Sequence, residues 1–122
     1  MKTGNFTRIT FKPDLKKFGL HEGLNDDIIA LLTKRAYDIA GTTDQRIKVR
    51  LNGEDLPIKN FGDYVDLYLK TKEVEDLPKI VQPKDDRWEV VCSLSDGQFN
   101  QVSFVNSICT TKGGTHVDYI AN

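Results

Sequence analysis

The stretch Gln101-Val-Ser-Phe-Val-Asn-Ser-Ile-Cys-Thr-Thr-Lys-Gly-Gly-Thr-His-Val-Asp-Tyr119 changes its pattern twice. Up to Val105 it is rich in β-branched and aromatic residues, which predicts a strand beginning at about Phe99. Asn106 to Gly114 is rich in Gly, Thr and Ser and predicts a loop. Thr115 is then placed to cap a helix, in which Val117, Ile120 and Ala121 begin an apolar stripe. The chain stops while that stripe is still being laid down.

Upstream, Trp88, Val90, Cys92 and Leu94 alternate with Glu89, Val91 and Ser93, and Asp96-Gly97 marks a turn, so a further strand precedes the first. Lys70 to Asp86 is charged, contains Pro78 and Pro83, and reads as a long surface connection. Before it, Asn60 caps a short helix in which Phe61, Tyr64, Val65, Tyr68 and Leu69 share a face. Ile47, Val49 and Leu51 alternate with Lys48 and Arg50, and Asn52-Gly53 favours a two-residue type I′ hairpin returning through Leu56 and Ile58. Pro57 confines that return strand to an edge. A longer helix is bounded by Asn25 as N-cap, with Asp26 and Asp27 at the positive end of its dipole and Leu24 and Ile29 at staple spacing. Ile28, Leu32, Ala36 and Ile39 form its stripe, and Gly41 is placed to stop it in the left-handed conformation. Phe6 to Phe11 reads as a strand that Lys12-Pro13-Asp14 ends. The order predicts a single α+β domain, with two helices on one face of a sheet.

Composition bounds the function. A chain of 122 residues is the size of one domain and can bury roughly two-thirds of its unfolded surface. With 17 basic against 18 acidic residues and a net charge of −1, there is no electrostatic case for a free-standing nucleic-acid binder. Cys92 and Cys109 are too few for a disulfide scaffold or a four-ligand zinc site, and predict free thiols in an intracellular compartment. No apolar run approaches a membrane span, so no membrane partner is expected.

Lys112-Gly113-Gly114-Thr115-His116 is the most suggestive stretch for chemistry. Two glycines before a helix can turn backbone amides toward an anion, and Lys112 adds charge. The phosphate-loop spacing is absent, so a structural loop is the plainer reading. Cys109 and His116 lack a third orienting group for nucleophilic catalysis, and a packed thiol and a helix-start imidazole explain them as well. Asp26-Asp27 and Asp85-Asp86 are a helix start and a linker charge pair rather than metal ligands. Lys16-Lys17, Lys34-Arg35 and Lys48/Arg50 read as solvated faces. Tyr37, Tyr64 and Tyr68 read as packing residues, and His21 as a surface residue.

Several blocks nonetheless resemble, in order, the transducer region of the eukaryotic branch of type II DNA topoisomerases. They are Ile9-Thr-Phe-Lys-Pro-Asp-Leu15, Arg35-Ala-Tyr-Asp-Ile-Ala-Gly41, Val49-Arg-Leu-Asn-Gly53, Phe61-Gly-Asp-Tyr-Val-Asp-Leu-Tyr68, Arg87-Trp-Glu-Val90, Gln101 to Ile108 and Thr111 to Tyr119. Ser-Phe-Val-Asn followed by Gly-Gly-Thr-His is shared in outline with bacterial gyrase B subunits. The resemblance implies that residues 1–24 hold the last strand of a GHKL-type ATPase subdomain and its crossover. Residues 25–122 would then form an incomplete transducer of the ribosomal protein S5 domain 2-like fold, with its left-handed β-α-β crossover.

What the resemblance implies about mechanism follows from what it leaves out. The ATP-binding motifs, the magnesium-binding Asn and the glycine-rich lid would lie before Met1. The Gln-Thr-Lys loop that reaches the γ-phosphate, and the DNA-cleaving tyrosine, would follow Asn122. No catalytic, cofactor or metal residue is therefore expected here, ATP and Mg2+ belonging to the parent enzyme. That parent passes one DNA duplex through a break in another as a homodimer, in the nucleus. The family motif residues Ser103, Phe104, Asn106, Lys112, Gly113, Gly114, Thr115 and His116 are the candidate relay loop between ATP binding and the DNA gate. Two other readings stand beside this one. In one, a naturally short product serves as an interaction module that docks on the full enzyme, and its unfilled sheet edge predicts self-association; in the other, the S5-like half binds RNA.

Overall fold

The computed structural model describes residues 4–69, 78–82, 87–95 and 97–122. The Asn25 side chain accepts the backbone N–H of Ile28 at 3.0 Å, and with Asp26 and Asp27 in the first turn it starts helix α1, Asp26–Thr42. Such a cap contributes about 1 kcal/mol. Asn60 repeats the device for α2, Phe61–Leu69, accepting from the N–H of Asp63 at 2.9 Å. Asp63 in turn accepts from the N–H of Lys59 at 2.9 Å, a reciprocal arrangement close to a capping box. Both helix starts are where the sequence places them.

The chain forms two compact units, divided after Leu31. Among its described residues the first has no strand. Phe6, Ile9 and Phe11, expected in one, lie outside any ladder and are 77%, 84% and 79% exposed. Alternating β-formers make a strand only against a partner and a buried face, and the described residues supply neither.

The second unit, from Leu32 onward, is organised around Tyr64, which is 2% exposed. Ala40 and Ile58 are buried with it, and Tyr37, Val49, Leu56, Phe61 and Phe104 pack around them. Gly41 explains how Tyr64 gets there. It does not end α1 in a left-handed turn, as its type suggests, but lies within the last turn of the helix and is fully buried. A Cβ built on Gly41 would stand 2.6 Å from both Cβ and Cγ of Tyr64. The glycine is there for close approach, and propensity is sacrificed to packing. The expected stripe is also displaced: Leu32 is 55% exposed, and burial concentrates at Asp38, Ala40 and Gly41.

In place of the expected single sheet, the described residues form three separate two-stranded antiparallel ladders. β1 (Arg50–Leu51) pairs with β2 (Glu54–Asp55) across Asn52-Gly53, whose φ values of 53° and 89° make the expected type I′ turn. The N–H of Leu56 donates to the carbonyl of Val49 at 3.0 Å and extends that pairing, while Ile58 turns into the core. β3 (Lys79–Val81) lies inside the stretch read as a surface connection and pairs with β4 (Val91–Ser93). The rest of that connection, with Asp85-Asp86, falls outside the described residues. Lys79 anchors β3 to α2 through Asp66 and the carbonyl of Gly62.

The strand expected from Phe99 shrinks to β5 (Phe104–Val105), which pairs with β6 (Ile108–Cys109) inside the expected loop. The link is Asn106-Ser107, with φ 50° and 63°, a left-handed pair like Asn52-Gly53 but with serine in place of glycine. A seven-residue helix, α3 (Thr115–Ala121), follows; its N-cap is Gly114, with no side-chain cap bond, and not Thr115.

Replacing Gly41 by Ala is expected to destabilise the second unit, because the new methyl meets the stem of a buried ring. The cost is about 1–3 kcal/mol, read as a lower urea midpoint, and the further substitution Tyr64→Ala should relieve the clash term in a double-mutant cycle.

Candidate functional site

The segment from Ser103 to His116 draws three polar side chains together. Ser103 precedes β5, Thr110 follows β6, and the hairpin register brings them opposite each other; the N–H of Thr110 donates to the carbonyl of Ser103 at 2.8 Å. Their hydroxyls are 2.5 Å apart. His116, in the first turn of α3, bends back so that Nε2 lies 3.1 Å from Thr110 Oγ1 and 3.3 Å from Ser103 Oγ. Ser103 Oγ is also 3.3 Å from the backbone carbonyl of Thr110. Sequence reading picked Ser103 and His116 but missed Thr110, and it took His116 for a plain helix-start imidazole. The imidazole turns to the two hydroxyls instead.

The two glycines make this fold-back possible. Gly113 has φ 72° and Gly114 φ 150°, both in the region that L residues rarely occupy. The N–H of Gly113 closes a turn on the carbonyl of Thr110 at 2.9 Å. A Cβ on Gly114 would lie 3.0 Å from Cε1 and Nδ1 of His116, so the imidazole lies over a position that only glycine leaves open. Gln101 reaches across to the carbonyl of Thr111 at 3.4 Å. Lys112 and Thr115 are exposed and take no part, and Asn106 serves the turn. The geometry is that of a fastened loop, with no nucleophile–base–orienter arrangement. Among the described residues no three His, Cys, Asp or Glu side chains group as metal ligands.

Phe104 carries the loop into the core. Its ring meets Tyr64 edge-on at 5.7 Å and Phe61 edge-on at 6.3 Å. Ser107 Oγ donates to the carbonyl of Thr42, the last residue of α1, at 3.4 Å. At the centre lies Asp38, which sequence reading did not single out. It is fully buried, and its carboxylate accepts from Lys34 Nζ at 2.8 and 3.0 Å, from an Arg35 guanidinium nitrogen at 3.0 Å and from the Tyr64 hydroxyl at 2.7 Å. Lys34 and Arg35, read as a solvated face, are the counter-charges at its rim. The signal was in the sequence, since the i, i+3 and i, i+4 spacing to Asp38 is that of helical ion pairs. Tyr64 has one hydroxyl proton, given to Asp38, so Tyr68, 2.8 Å away, donates to Tyr64.

Burial alone would raise the pKa of Asp38. The hydrogen bonds from Lys34 and Tyr64, the Lys34 charge and the Arg35 bond outweigh it and hold the group below its ordinary value. Tyr64 is pushed upward, first by burial and then by its bonds to Tyr68 and Asp38.

Residues 60–122 match the family model described as DNA gyrase B. The chain is 56% identical over 125 residues to DNA topoisomerase 2 of Arabidopsis thaliana, a match that takes in 99% of the chain and 8% of that protein. It is 53% identical over 121 residues to DNA topoisomerase 2-alpha of Mus musculus, covering 97% of the chain and again 8% of the relative. The ATPase region of Saccharomyces cerevisiae topoisomerase II superposes with a TM-score of 0.79 at 49% identity, over 90% of this chain and 28% of that one.

A carboxylate whose folded pKa lies below its unfolded one contributes stability above the ordinary value of 3.8 and loses it as pH falls through the depressed value. Asp38→Asn should therefore flatten the acid limb of a stability–pH curve, measured by urea unfolding. Tyr64→Phe, which removes one donor from a buried charge, should cost about 1–3 kcal/mol at neutral pH.

Proposed function

The chain belongs to the DNA gyrase B family of type II DNA topoisomerases, and from that premise we propose that it works as the segment that relays ATP binding to the DNA gate in an ATP-dependent type II enzyme. The observation that carries this is that 90% of the chain superposes on part of the yeast ATPase region, 28% of it, at 49% identity. The fold bears the same reading. The Ser103–His116 loop is tied to α1 through Ser107 and Thr42, and to the buried Tyr64 through Phe104. A displacement felt at the helices thus has a packed route to α3, and a relay requires a packed element with discrete arrangements.

In this reading the parent changes DNA topology by passing one duplex through another, as a homodimer in the nucleus, with ATP and Mg2+ held by residues other than these. Residues 1–24 belong to the end of a GHKL subdomain, and 25–122 to a transducer of the S5 domain 2-like class. The loop from Ser107 to Thr115 is the candidate two-state element. Its two glycines at positive φ set the course of the backbone between the hairpin and α3, and the reversed imidazole ties the two together, so that hairpin, loop and helix shift between the two states as a unit. The open edges of three short ladders favour self-association of the isolated chain.

Grafting this sequence over the matching segment of the yeast enzyme is expected to preserve ATP-dependent relaxation of supercoiled DNA; a chimera that binds ATP but cannot pass strands would overturn the proposal. Gly113→Ala with Gly114→Ala in the full-length enzyme should lower strand passages per ATP hydrolysed while ATP turnover persists. Unchanged coupling would remove the loop from the relay.

A further inference from the structure

Around His116 the protons can be counted. The Ser103 and Thr110 hydroxyls, 2.5 Å apart, need a proton between them. If Nε2 were an acceptor, the two hydroxyl protons would have to serve four contacts, and in every arrangement two of those contacts would carry no proton. With the proton on Nε2, every contact is satisfied. Nε2–H points between Thr110 Oγ1 and Ser103 Oγ, Thr110 donates to Ser103, and Ser103 donates to the carbonyl of Thr110 at 3.3 Å. The unprotonated Nδ1 then faces Gly114, where a Cβ would stand 3.0 Å away.

We infer that His116, as the Nε2–H tautomer, is a positioning residue that clasps α3 to both flanks of the β5–β6 hairpin, so that helix and hairpin move as one body. The clasp rests on the topoisomerase reading only for its consequence, not for its geometry. Without it, α3 is a seven-residue helix with no side-chain N-cap, and a helix of that length has little stability of its own. The Tyr119 ring of α3 also stacks on Trp88 at 5.9 Å. His116 acts by fixing where α3 begins.

The test compares two amides. A glutamine at this position carries its amide nitrogen about where Nε2 is and can donate to the same hydroxyls. An asparagine carries it only as far as Nδ1 and cannot. In the full-length enzyme, His116→Gln is expected to keep strand passages per ATP within about twofold of the parent, while His116→Asn lowers them about threefold or more with ATP turnover retained. Equal coupling in the two variants overturns the inference. An unsubstituted enzyme with no ATP-dependent strand passage would instead sink the topoisomerase reading and leave the clasp to a second measurement. That measurement is 15N NMR of the imidazole in this chain: a protonated Nε2 with a bare Nδ1 supports the clasp as drawn, and a protonated Nδ1 overturns it.

Discussion

A missing side chain at Gly41 lets the Tyr64 ring lie against the backbone of α1, and the second unit depends on that contact. Only with the ring so close can its hydroxyl reach Asp38, one helical turn earlier, at 2.7 Å. Only with the hydroxyl there does the buried carboxylate have a donor on its inner side, opposite Lys34 and Arg35. The three residues are therefore not separable contributions. A buried charge stripped of one partner costs more than the bond it lost, because the remaining charge stays desolvated. The aromatic rings of Phe61, Tyr68 and Phe104 are then arranged around a ring already fixed at both ends, Phe61 stacked on it and the other two edge-on, and such aromatic pairs add about 0.5–1.5 kcal/mol each beyond their burial.

That centre is also what gives the outer loop a place to attach. Phe104 belongs to the core by its ring and to the β5–β6 hairpin by its backbone, so the hairpin is held from the inside. Ser103 and Thr110 flank the hairpin and meet His116 on its far end. The core holds the hairpin through the Phe104 ring and the Ser107–Thr42 bond, and the hairpin flanks hold α3 through the His116 contacts.

Much of this was legible in the sequence, and the failures share a cause. Asn25 and Asn60 were readable as caps because capping is local chemistry between residues three apart, and Asn52-Gly53 was readable as a turn for the same reason. Gly41 was misread because glycine near a helix end usually means a stop; that it meant proximity depended on Tyr64, 23 positions later in a different helix. Phe6 to Phe11 has strand composition but no strand, because pairing is decided by a neighbour that composition cannot name. Asn106-Ser107 hid a hairpin because serine does not advertise a left-handed conformation. At the site, the Gly-Gly-Thr-His run was conspicuous, whereas Thr110 became meaningful only once the hairpin placed it beside Ser103. Asp38 was visible as an ion-pair position on α1, but its burial was not, since nothing local says which face another helix will cover.

The three ladders, each joining strands close in sequence or across one short excursion, set an order of events in folding. The β1–β2 and β5–β6 hairpins close over two-residue turns, and isolated hairpins of that kind form in about 1–10 μs. The Asp38–Tyr64 bond spans 26 positions and must wait for two helices to meet. Sequence separation therefore makes the hairpin pairings the faster contacts to close and the Asp38–Tyr64 contact the slower one.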